Sequence, residues 1–266
     1  MLTDLYRQRA LIRAFAARDF KTRYRSSVLG WAWSLLQPLA TLLVFSAVFS
    51  IVFRVQAPEL GNGSGSRSFT AFLFTGIVTW NLFSSFVLLS MTQLKSNGEL
   101  LRKVQFPPWA PILGASVVQF IQVGLEVVVL AGLFLWERNI GWTWIWAAPI
   151  LLGTALFGQG IGLVLSIVNA RFGDVMYIVN VALGAIYFLT PILYPMSLVE
   201  QHSELFARIV QANPMAWYVE AMHEAMYTLS GPSPLVVLAL LVGAFLTFWA
   251  GLAIFNRTSE DIGELL

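Results

Sequence analysis

The sequence predicts an all-α integral membrane protein: six transmembrane helices, an N-terminal amphipathic interface helix, and a short outer re-entrant or amphipathic helical hairpin between spans five and six. Three observations lead there. Hydrophobic residues make up 58% of the 266 positions and charged residues only 11%, whereas soluble domains carry about a quarter charged residues. Apolar runs recur at the length of about 20 residues that a bilayer core demands. Lys and Arg gather on one side of those runs, as the positive-inside rule requires.

Residues 1–28 form the cationic front end, with Arg7, Arg9, Arg13, Arg18, Lys21, Arg23, Tyr24 and Arg25. Leu11, Ile12, Phe15, Ala16 and Phe20 recur among them at helical spacing, so a helix here sets an apolar stripe beside a basic face. Such a helix suits an anionic leaflet, and it equally suits a plain positive-inside collar. Nucleic-acid binding is a poor use of these charges, because they run straight into a greasy segment. No charged residue stands between Arg25 and Arg54, and the first span is placed at 29–53. That run is longer than the apolar region of about 7–15 residues in a signal peptide, so it is expected to remain as an uncleaved anchor.

The further spans are placed at 69–91, 111–136, 142–168, 177–194 and 235–255, and the whole of 1–266 reads as a single transmembrane domain. Six crossings bring both ends to one side. With that topology twelve of the sixteen Lys and Arg fall on the side of the termini, which places both termini in the cytoplasm. The glycine- and serine-rich stretch of the 54–68 loop is expected to be a mobile outer connection. It is no phosphate cradle, for it lacks the Lys-Ser/Thr ending of a P-loop. The chain contains no Gly-Lys dipeptide, so ATP hydrolysis through a Walker motif of its own is excluded. The absence of cysteine excludes disulfides, cysteine zinc sites and thiol nucleophiles.

Between spans two and three, Asn97 and Gly98 break one helix, and Pro107, Pro108 and Pro111 start the next. Glu99, Leu100, Arg102 and Lys103 with Phe106 then form a short, stiff, basic knob, suited either to taking force from a partner or to a tight interhelical turn. In span three, Ser116, Gln119, Gln122 and Glu126 share one helix face. An intramembrane carboxylate usually faces a bundle interior or water, so the stripe lines a hydrated path, a subunit seam, or an ordinary polar helix contact. In span four, Gly158 and Gly162 permit close helix approach. After Pro191 and Pro195, two amphipathic segments follow, joined at Asn213-Pro214, a cap followed by proline at the first helical position. Glu220, His223 and Glu224 are expected on the solvated face of the second segment, and they lack the two-histidine spacing of a zinc helix.

The opening Arg18-Asp19-Phe20-Lys21-Thr22-Arg23-Tyr24-Arg25-Ser26, followed by Leu29-Gly30-Trp31-Ala32-Trp33 and Pro38, resembles the permease subunits of ABC-2 type exporters for O-antigen, teichoic acid and related cell-wall glycans. Phe106-Pro107, Arg171-Phe172-Gly173-Asp174 and Asn213-Pro214 extend the resemblance over nearly the whole chain. Pro108 stands where that family usually has a basic residue. The resemblance implies a homodimer in a bacterial inner or plasma membrane, each copy bound to a separate ABC ATPase that holds ATP and Mg²⁺, with no cofactor in this chain. It further implies a polysaccharide substrate on a polyprenyl diphosphate carrier, a coupling helix spanning 100–109, an interface helix along the inner leaflet, and an outer hairpin that closes the exit. A glycan passage needs polar groups and flat aromatic faces. The candidates are Gln119, Gln122 and Glu126 with Trp31, Trp33, Trp80, Tyr187, Phe188 and Tyr194, although Trp and Tyr also collect at interfaces in most membrane proteins. An ion channel or secondary carrier would call for more charged membrane residues and internal repeats. An enzyme acting on polyprenyl lipids would call for paired carboxylates around a metal, and Glu126 is the one acidic residue within any predicted span.

Overall fold

The structure is a computed structural model describing residues 8–23, 29–52, 57–104 and 106–258. Among those residues the secondary structure is helical throughout. The helices are α1 (Arg9–Arg23), α2 (Trp33–Ser46), α3 (Phe69–Ser96), α4 (Gly98–Lys103), α5 (Trp109–Trp136), α6 (Ala147–Arg171), α7 (Val175–Phe188), α8 (Met196–His202), α9 (Glu204–Ala212), α10 (Pro214–Met226) and α11 (Pro234–Thr258). Four helical stretches, Phe69–Ser96, Trp109–Trp136, Trp142–Arg171 and Pro234–Thr258, are long and apolar enough to cross a membrane. Two shorter apolar ones, Trp33–Phe49 and Val175–Phe188, accompany them.

At the centre lies α3, buried over most of its length. Its polar residues survive burial because Thr75, Thr79 and Ser90 donate back to the carbonyls of Ala71, Thr75 and Phe86, leaving no hydroxyl without a partner. Against α3 packs α6, at the spacing the glycines foretold. A Cβ on Gly158 would lie 2.7 Å from the Phe83 carbonyl oxygen, and one on Gly162 would lie 2.9 Å from that of Val87. The opposite face of α6 meets α11 just as closely, where a Cβ on Gly160 would lie 2.6 Å from the Thr247 carbonyl. The close approach therefore serves contacts within the chain.

The two ends of the bundle are fastened differently. At one end Asn62 donates to the Glu137 carbonyl (3.0 Å), Asn139 to those of Met226 and Tyr227 (2.9 Å each), and Thr143 to that of Ala225 (2.7 Å). The 57–68 stretch is therefore held in place, contrary to the mobility expected of it. Leu60 is buried, the Gly61 N–H donates to the Tyr227 carbonyl, and the Tyr227 hydroxyl donates to that of Pro58. Composition alone hid these partners, which lie more than 150 residues away. At the opposite end α1 packs on the start of α5 and the end of α3, with Gln93 donating to Asp19 Oδ2 at 2.8 Å.

Helix α7 stops at Phe188, six residues before the fifth span was expected to finish. Pro191 cannot continue the hydrogen-bond ladder, so Leu189–Tyr194 folds back. Asn213 there donates to Thr190 Oγ1 at 2.8 Å, and Ile192 is fully buried. The outer hairpin is divided once more than expected. Its first amphipathic segment is two helices, split at Ser203, whose hydroxyl caps α9 by accepting from the Phe206 N–H. Asn213 caps α10 as anticipated, with its side chain accepting from the Met215 N–H.

Candidate functional site

A cavity of about 650 Å³ opens between α2, α3, α5 and α7. Three of the helices contribute a short polar pair at helical spacing, Gln37 and Thr41 from α2, Asn81 and Ser85 from α3, and Gln119 and Gln122 from α5, while α7 adds Asn180. Glu126 lies one turn further along α5. A second hollow of about 500 Å³ shares Arg23, Ser85, Leu88 and Gln119 with the first, and extends to Asp19, Thr22, Thr92 and Gln93 at the α1 end. A polar groove thus runs from the last turn of α1 into the middle of the bundle.

The stripe read from span three divides. Ser116 turns away from the cavity, donating to Gln159 Oε1 at 2.7 Å, while Gln159 Nε2 donates to Ser90 at 2.7 Å. That chain joins α5, α6 and α3. Gln119, Gln122 and Glu126 face the cavity instead. Arg23, expected on the interface helix, reaches Gln119 Oε1 at 3.4 Å and so belongs to the cavity mouth as well. Glu126 is 3% exposed, with the amides of Asn81 and Gln122 beside it. Its Oε2 and Gln122 Oε1 are buried with no hydrogen-bond partner among the described residues.

Aromatic surface borders the same space. Tyr187 packs edge-on to Trp80 at 5.7 Å and to Phe188 at 5.4 Å, and all three line the cavity. Tyr194 stands at the outer end, its hydroxyl donating to the Phe188 carbonyl at 2.9 Å. Trp33 is half exposed and is not among the cavity residues. The Trp31 side chain, Tyr24 and Arg25 lie outside the described residues. Asn81, Ser84, Ser85, Asn180, Gln37 and Thr41 were missed in the sequence. The signal was there in two i, i+4 polar pairs, Gln37 with Thr41 and Asn81 with Ser85, each too weak to notice without the other.

At the other end of the groove, α4 holds Glu99, Leu100, Arg102 and Lys103, with all four side chains exposed. Phe106 and Pro107 follow, and the Phe106 ring sits 5.4 Å from Phe15 of α1. The Arg18 guanidinium covers Phe15 at 4.9 Å, while Lys21 is exposed.

On α10, His223 is buried, not solvated as expected. Its Nε2 lies 2.9 Å from the Phe72 carbonyl and its ring stacks on Phe72 at 4.0 Å. Burial pushes its pKa down to about 4. Glu220 and Glu224 are partly exposed. Burial, then the nearby Glu224 and Glu200 carboxylates, push Glu220 up to about 7, and burial raises Glu224 too. Among the described residues no group of three or more His, Cys, Asp or Glu side chains could hold a metal ion.

Long apolar helices around a polar, aromatic-bordered groove define a membrane transport protein rather than a soluble one. The chain belongs to the ABC-2 type transporter family, whose pattern its residues 10–227 match. It is similar to the O-antigen export system permease protein RfbA of Klebsiella pneumoniae, 29% identical over 251 residues covering 94% of this chain and 92% of that protein. The RfbA protein of Myxococcus xanthus is 28% identical over 99% of this chain and 98% of its own length. The polysialic acid transport protein KpsM of Escherichia coli is 24% identical over 96% and 95%.

Proposed function

We propose that this chain is the membrane permease of an ATP-driven exporter that moves a polysaccharide, carried on a polyprenyl diphosphate, out of the bacterial cytoplasm across the inner or plasma membrane. The observation that carries this reading is the groove: a polar path leading from the α1 end into the bundle and bordered by ring surfaces on which sugars can pack. Relatives named for O-antigen and polysialic acid transport support a glycan cargo.

Polar groups line the cavity between α2, α3, α5 and α7, and facing hydrocarbon they would be costly, so a second copy of the chain shields them. The six-crossing reading is supported by α2 and α7, each of which links the α1 end of the bundle to the end bearing the 57–68 loop. At about 1.5 Å per residue α7 is only about 21 Å long, so the fold-back at Leu189–Tyr194 completes that crossing inside protein. Twelve of the sixteen Lys and Arg then fall on the side of α1 and α4, which makes that side cytoplasmic.

ATP and Mg²⁺ belong to a separate ABC ATPase, one copy per permease. Its motion is received by Glu99, Leu100, Arg102, Lys103, Phe106 and Pro107, and the Phe106–Phe15 contact passes it to α1. In proteoliposomes containing both subunits, Phe106→Ala is expected to leave ATP turnover and assembly intact and to lower glycan export at least about tenfold. The Arg102→Ala, Lys103→Ala double variant should behave alike. Export at the unmodified rate removes the coupling role. A stable purified monomer that never binds an ATPase contradicts the exporter reading itself.

A further inference from the structure

We infer that Glu126 and Gln122 form a sugar subsite that accepts neutral, hydroxyl- or acetamido-bearing residues and turns away anionic ones. The inference rests on the glycan-export reading and adds a selection rule to it. Two buried oxygens, Oε2 of Glu126 and Oε1 of Gln122, face the same cavity without a donor among the described residues. Buried acceptors left unpaired are rare and unfavourable, so what fills the cavity, water or a sugar that displaces it, supplies the donors. Sugar hydroxyls and acetamido N–H groups do so, and Tyr187 and Phe188 offer ring surface alongside.

The charges along the path are separated. Arg23 stands at the mouth, held by Gln119 at 3.4 Å, with Asp19 one turn back in the second hollow. Glu126 lies seven residues beyond Gln119 on α5, about 10 Å deeper along the helix. The other deep lining groups from α2, α3 and α7, namely Gln37, Thr41, Asn81, Ser84, Ser85 and Asn180, are uncharged. A diphosphate or acidic group is therefore tolerated at the mouth beside Arg23. Deeper in, a uronate or sialate carboxylate would meet the Glu126 carboxylate between apolar helix walls, where like charges repel more than in bulk water.

The test uses the permease with its ATPase in nanodiscs, titrated with a neutral maltoheptaose and an anionic heptagalacturonate. The readout is the quenching of Trp80 fluorescence, with the Trp80→Phe protein as background. The neutral sugar is expected to bind at least about tenfold more tightly, a gap that shrinks as salt rises. Glu126→Gln should bring the two within about threefold, chiefly by improving the anionic sugar. Asn81→Asp, which sets a second carboxylate beside the first, should widen the gap and decides the matter if the Glu126 variant does not fold. Equal binding of both sugars to the unmodified protein overturns the inference and leaves the exporter reading standing. So does a gap unchanged in Glu126→Gln. Binding of neither sugar overturns both.

Discussion

Gln159 sits where three helices meet, linking Ser116 on α5 to Ser90 on α3 at 2.7 Å each. Ser90 donates to the Phe86 carbonyl, and the single Ser116 proton has the Ile112 carbonyl at 2.9 Å as its alternative acceptor, so replacing Gln159 strands no hydroxyl. Polar links inside membranes typically contribute about 0.6–1.7 kcal/mol, and Gln159→Leu is expected to lower stability by about 1 kcal/mol in equilibrium unfolding in detergent. On α10, His223 and Glu220 pull stability in opposite directions. His223, held down to about 4, refuses a proton that the unfolded chain accepts below about 6.5, so its contribution is lost as pH falls from 6.5 toward 4. Glu220, raised to about 7 from 4.5, keeps a proton that the unfolded chain releases, so its contribution grows as pH falls across that window. Amide exchange of 214–227 should therefore show Glu220→Gln loosening at pH 5 relative to pH 7.5, and His223→Gln tightening. The same sign in both variants contradicts the assignment. Glu126 was legible as the one acidic residue in a span. The burial of His223 was not, because helical spacing places a residue on a face without saying what covers that face.

Packing glycines act on whole helices. Gly251 of α11 abuts the Gly160 carbonyl, and any side chain there displaces one helix from the other. Gly124 on α5 has nothing within 4 Å of where its Cβ would lie. Gly251→Val should collapse the yield of monodisperse protein in size-exclusion chromatography, while Gly124→Val should leave it within about twofold. Equal yields contradict the α6–α11 contact. The Gly158 and Gly162 spacing was readable, and so were the long spans, whose apolar runs exceed bilayer thickness. The early stop of α7 was half readable from Pro191. The break at Ser203 was missed because Leu198 to Val210 keeps an apolar stripe across it, and only the capping hydroxyl marks the division.

At the scale of the whole molecule, the two bundle ends are distinct in hydrogen bonding. What the sequence concealed is convergence. Four helices each contribute only one or a few polar side chains, and only their assembly makes a path; Glu126 looked solitary because Asn81 and Arg23, its company in the groove, lie 45 and 103 residues away in the chain. Because the chain has no cysteine, single introduced thiols report that path cleanly. Ser85→Cys and Asn180→Cys lie in the groove, whereas Gly124→Cys and Gly132→Cys lie on open faces of α5. In intact membranes a small, charged, water-soluble thiol reagent should modify the first pair at least about tenfold faster than the second. Rates that do not differ between the pairs would mean that no hydrated route passes between α2, α3, α5 and α7.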